Sequence, residues 1–132
     1  MKLQTTFNRV ARGLLRQGRL SFNREDFGFA IRGKYGCRCS IGFLIPNRVY
    51  RESMNGLGCD NSSVAEALKS LGHDFSLCWR LQKVHDEAPR GVNATTLRKF
   101  WKEQLKQVAD EFGLDTKVLK HWRVTRGSAT SY

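Results

Sequence analysis

The sequence predicts an α+β domain, mostly α, in which a single β-hairpin packs on helices. Apolar residues recur at helical spacing in five segments. Between residues 27 and 42 the period changes to two on both sides of a glycine-bounded turn. At 132 residues, 40% of them hydrophobic, the chain has the length of one domain and the apolar content for a core.

The first helix is expected over residues 3–17. Leu3, Phe7, Val10 and Leu14 share one face, while Arg9, Arg12 and Arg16, extended by Arg19, form a stripe roughly opposite. Gly18 is placed to end this helix. A polar connection follows over residues 18–26. The hairpin is expected with strands at about 27–32 and 37–42. Phe27, Phe29, Ile31, Cys37, Cys39 and Ile41 would lie on its apolar face and Arg32 and Arg38 on the other, around a turn Gly33-Lys34-Tyr35-Gly36. A lone hairpin is marginal in water, so the helices must cover it. Pro46 can open a short helix reaching Tyr50 or Ser53.

Ser63 and Glu66 have capping-box spacing at the start of the next helix, whose face is Val64, Leu68 and Leu71 and which ends at Gly72. Asp74 caps a further helix carrying Leu77, Cys78, Leu81, Val84 and His85. The longest helix, over 94–112, presents Leu97, Phe100, Trp101, Leu105, Val108 and Phe112, and Gly113 closes it. Asp115 can cap a last short helix with Val118, Leu119 and Trp122. The whole chain, 1–132, is expected to be one domain with residues 126–132 a frayed basic tail.

Charge is uneven along the chain. Residues 1–51 hold eleven Lys and Arg against two acids, a net +9. Residues 52–115 hold eight against ten, and residues 116–132 four against none, for a total of +11. Solubility alone does not require this asymmetry. It suggests a directed basic surface for a polyanion, against the plainer reading of a high-pI protein with no anionic partner. Arginine in the first-helix stripe favours phosphate, because the guanidinium fork grips two oxygens at once.

No run reaches the length of a membrane span, and Arg9, Arg12 and Arg16 interrupt any signal-peptide core. A soluble, cytoplasmic protein with reduced, buried thiols is therefore expected. Cys37 and Cys39 share a strand face, but Cys59, His73, Cys78 and His85 lack the paired spacing of a zinc site, so no metal and no cofactor are expected. Cys39 with His85-Asp86 as a nucleophile and base has nothing in the sequence to set their distance. The adjacent acids Glu25-Asp26 and Asp86-Glu87 diverge and are no acid/base pair. No glycine order of a phosphate loop or dinucleotide fingerprint is present. The expectation is therefore a non-enzymatic protein. Aromatics beside cations at Phe22-Asn23-Arg24, Arg32 to Tyr35 and Lys120 to Arg123 suit base stacking with phosphate contact. Phe22 and Trp122 are read as core, and Tyr35 as exposed at its turn.

Arg32, Gly33, Gly36, Cys39, Ile41, Gly42, Leu44, Ile45 and Pro46 form a run that continues with Tyr50, Met54 and Gly56. Leu81, Gln82, His85 and Asp86 follow in a later helix, and Trp101 in the longest one. Over residues 3–114, and most specifically from Arg32 to Pro46, this pattern resembles a family of small proteins encoded by phages and prophages. The resemblance implies a phage accessory or host-takeover setting and no particular activity. The extra arginines of the first helix and the basic tail depart from the family pattern.

These readings converge on a binding protein whose partner is nucleic acid or a host nucleoprotein, such as a host defence complex. The contact residues would be Arg9, Arg12, Arg16, Arg19, Arg32, Lys34, Tyr35 and Arg38. Two alternatives stand beside it: a sponge for a small anionic nucleotide, and an inhibitor docking an acidic host protein surface. His85, with Gln82 and Asp86, is expected to be structural. No oligomeric state follows from the sequence.

Overall fold

The periodic segments become helices at the expected places. In a computed structural model, which describes residues 2–22 and 29–120, these are α1 (Leu3–Gln17), α2 (Ser62–Ser70), α3 (Phe75–Asp86), α4 (Ala94–Phe112) and α5 (Lys117–Lys120). α1 buries Phe7, Val10, Ala11, Leu14 and Leu15 and leaves Arg9, Arg12 and Arg16 exposed. Gly18 ends it with φ 64°, its N–H donating to the Leu14 carbonyl at 2.9 Å. Arg98 of α4 then donates to the last-turn carbonyls of Leu15 at 2.7 Å and Arg16 at 3.3 Å, placing a cation at the negative end of α1.

Helix starts follow side-chain caps. Asp74 accepts from the Leu77 N–H at 2.9 Å and Asn93 from the Thr96 N–H at 2.8 Å. For α2 the cap is Asn61 rather than Ser63. The Asn61 side-chain oxygen accepts from both the N–H and the hydroxyl of Ser63, so Ser63 is the second residue of the helix. Asp115 accepts from the Lys117 N–H ahead of α5. α3 packs on α4, and α1 packs on α3, α4 and α5. One core cluster runs from Phe7 to Leu119, with Trp101 of α4 fully buried in it and its indole N–H donating to the Val84 carbonyl at 3.1 Å. No helix among the described residues is long and apolar enough to cross a membrane.

The expected hairpin does not form among the described residues, whose fold is all-α rather than α+β. Helix makes up 60% of the described chain and strand 2%, the latter a lone antiparallel bridge between Phe22 and Phe29. Phe27 and Gly28 lie outside the described residues. Lys34–Gly36 and Ile41–Phe43, where a turn and a second strand were expected, are 3₁₀ turns. Burial loses its alternation, since Ala30 and Ile31 are both buried, as are Cys39, Ser40, Ile41 and Gly42 in succession.

The reason lies in where the backbone hydrogen bonds go. Gln17 of α1 brackets Arg38, accepting from its N–H at 2.8 Å and donating to its carbonyl at 2.9 Å. Asn55 does the same for Arg32, at 3.0 and 3.2 Å. Gln82 accepts from the Ile41 N–H at 3.1 Å, and the Ser21 hydroxyl reaches the carbonyls of Ala30 and Cys37 at 2.7 and 3.1 Å. Helix and loop side chains thus meet the pairing demand that a partner strand would otherwise meet. The glycines serve close approach here: a Cβ on Gly33 would sit 2.4 Å from the Phe22 carbonyl oxygen, and one on Gly42 2.4 Å from that of Ile31. After Pro46 there is a single helical turn, with Val49 and Tyr50 donating to the Pro46 carbonyl, and then a 3₁₀ turn at Glu52–Met54. Trp122 and the tail 126–132 lie outside the described residues.

The Gln82, His85 and Asp86 motif forms one hydrogen-bonded relay, buried at Gln82 and His85 and half-exposed at Asp86. His85 is fully buried, and its Nε2 accepts from the Ser21 N–H at 3.0 Å, which puts the ring proton on Nδ1. Nδ1 then donates to Asp86 at 2.8 Å, and the same carboxylate oxygen accepts from Gln82 at 2.8 Å. The ring stands edge-on to Phe29 and stacks on Trp101.

Candidate anion-binding groove

The outer face of α1 meets the Lys34–Gly36 turn. Between them is a cleft of about 550 Å³ lined by Arg9, Arg12, Arg16, Arg19, Tyr35 and Phe43, with Gly13, Gln17, Gly36 and Cys37 filling the gaps. Gly13 is a poor residue mid-helix, but a Cβ there would lie 2.5 Å from the Phe43 ring. The missing side chain lets that ring lie against α1.

Tyr35 is 76% exposed and sits at φ 60°, the one non-glycine among the described residues in the left-handed region. Bonds on either side hold the turn: Lys34 N–H to the Phe22 carbonyl at 3.0 Å, Cys37 N–H to the Lys34 carbonyl at 3.1 Å, and Gly33 N–H to the Cys37 carbonyl at 2.9 Å. The Arg19 guanidinium lies 4.4 Å from the Tyr35 ring centre. Strain of order 1–2 kcal/mol thus presents an aromatic ring to solvent beside a row of arginines.

Two further clefts continue the first. Beyond Arg19 and Tyr35 a space of about 540 Å³ is bounded by Lys34, Phe22, Pro89, Val92 and the start of α4. Past Arg9 and Phe43 a space of about 600 Å³ adds Arg38, Arg48 and His73. Among the described residues, no Asp or Glu lines any of the three clefts. Their shared residues make them one groove along α1.

Of the residues expected at the site, Arg9, Arg12, Arg16, Arg19 and Tyr35 come together in the central cleft. Lys34 joins Arg19 and Tyr35 on one side, and Arg38 joins Arg9 on the other. Arg32 lines none of the three. Its guanidinium stacks 4.1 Å from the Tyr50 ring centre and reaches the Ile45 carbonyl at 3.4 Å, and burial, then Arg38, hold its pKa below the ordinary value. The expected union of both basic sets is therefore partial. Arg48 and His73 were not expected at the site. The Pro46 turn that carries Arg48 was legible, but the approach of that turn to α1 was not.

The thiols are buried, with burial the first cause in each case. Cys39 and Cys78 are pushed up to about 12, Cys59 to about 11, and Cys37 upward. Both ring nitrogens of His85 are committed within the relay, so the residue does not serve Cys39 as a base. Among the described residues no three of His, Cys, Asp and Glu converge as metal ligands. Asn23, Arg24, Glu25, Asp26 and residues 121–123 lie outside the described residues. No family model matches this chain, and neither a curated protein nor a solved structure matches it.

Proposed function

We propose that the protein is a non-enzymatic binder of nucleic acid, alone or within a host nucleoprotein, which lies along the α1 groove. The observation that carries this reading is the run of three clefts, the central one sharing Arg19 and Tyr35 with one neighbour and Arg9 and Phe43 with the other, with cations throughout and no acid among the described lining residues. Guanidinium groups would take the phosphates, and the Tyr35 ring would take an unstacked base. If the chain has the phage setting that its sequence motifs suggest, the partner would lie in the host cytoplasm, and a defence complex would be one such nucleoprotein.

A salt titration tests the reading. Four or five neutralised phosphates correspond to a slope of roughly −4 in log affinity against log salt on duplex DNA, with little dependence on sequence. No binding at low salt rejects it. The central cleft, where the aromatics Tyr35 and Phe43 meet four arginines, favours a second reading, capture of a small nucleotide. A nucleotide that binds when no polynucleotide does would select that reading.

Tyr35 separates function from folding. Tyr35→Gly removes the left-handed strain and is expected to leave the melting temperature unchanged or raised. It should also lower affinity for a single strand about tenfold, the scale of one base-aromatic stack. A variant that binds like wild type removes Tyr35 from the site.

A further inference from the structure

We propose that the third cleft is a site for a phosphate monoester, supplied by the end of a nucleic-acid strand lying in the groove; this rests on the reading above. Four separate segments converge there: Arg9 from α1, Arg38 from the central segment, Arg48 from the turn after Pro46, and His73 from the link between α2 and α3. His73 is only 6% exposed, and its Nδ1 lies 2.7 Å from the Thr6 hydroxyl. Its Nε2 is buried with no hydrogen-bond partner, a state that buried polar atoms seldom keep. In the tautomer where the Thr6 hydroxyl donates to Nδ1, Nε2 carries the proton and calls for an acceptor, which a phosphate oxygen would supply. Burial, and then Arg9, hold this imidazole below its ordinary pKa, which favours the uncharged ring at neutral pH.

A monoester carries close to two negative charges at neutral pH and three terminal oxygens, whereas a phosphodiester within a strand carries one charge. Three guanidinium groups and a buried N–H match the former. The position suits a strand end too. The cleft joins the central one through Arg9 and Phe43 and lies on the side away from Lys34.

The test uses the full chain and single strands of one sequence with a 5′-phosphate, a 3′-phosphate, or hydroxyls at both ends. One phosphorylated strand is expected to bind about tenfold tighter than the hydroxyl-ended strand, the size of one charge-assisted contact. Arg48→Ala, at an exposed turn, and His73→Gln should each erase that preference, bringing the phosphorylated strand down to the affinity that the same variant shows for the hydroxyl-ended strand. Equal affinity of wild type for all three strands overturns the proposal, as does a preference that survives Arg48→Ala. If no strand binds, the nucleic-acid reading fails separately. The wild-type His73 ring resonances are then followed during titration with inorganic phosphate and adenosine 5′-monophosphate. A saturable shift assigns the cleft to a free phosphate monoester and overturns the strand end as its source, and no shift overturns the site itself.

Discussion

Reversing Arg9, Arg12 and Arg16 to glutamate is expected to lower affinity for nucleic acid at least about a hundredfold at 50 mM salt, with the helical signal intact. Three phosphate contacts account for about −3 of the salt slope, and three new carboxylates in the groove add repulsion. The fold should tolerate the change because all three side chains face solvent. The bond from Arg98 to position 16 uses the backbone carbonyl, which substitution leaves in place. Removing crowded positive charge from a +11 chain also relieves self-repulsion. The control is Lys69, Lys99 and Lys106 to glutamate, three exposed positions that line none of the three clefts. Charges that make no contact in the groove act only through a field that salt screens, so the control should keep most of the affinity. Equal losses in the two triple variants would mean that net charge, not the groove, holds the ligand.

His85→Ala is expected to destabilise the protein by about 3 kcal/mol, lowering the melting temperature by roughly 10 °C. The substitution leaves the buried Ser21 N–H unpaired, takes the donor from Asp86, and opens a gap between Phe29 and Trp101. His85→Gln should recover part of the loss, since an amide oxygen can accept from Ser21. Binding measured where the variant is still folded should equal wild type, because His85 lines none of the three clefts. A variant that melts like wild type but no longer binds would give His85 a functional role and end the structural one.

The helices were legible because their causes are local. In α1 the apolar stripe at three- and four-residue spacing, the opposed arginines and Gly18 all act within one or two turns, as do Asp74 before α3 and Gly113 after α4. The arginine half of the groove was legible for the same reason, since helical geometry alone lines up Arg9, Arg12 and Arg16. Residues 29–42 were misread because a period of two in apolar side chains does not say what the backbone between them bonds to. A strand pair and a coil bracketed by side chains bury similar residues. The choice between them rested on Gln17, Asn55, Gln82 and Ser21, which lie between 9 and 41 residues from the groups they satisfy.

By itself the sequence determined the helices, the caps at Gly18, Asp74 and Gly113, and the basic face of α1, since these follow from spacing along one chain segment. The tertiary structure alone decided that the central segment is not a hairpin, that Arg32 turns to Tyr50, and that Arg48 and a buried His73 with an unpartnered Nε2 close one end of the groove. Those outcomes depend on which distant side chain reaches a given backbone or ring atom first. That is a property of packed helices in three dimensions, and no local pattern encodes it.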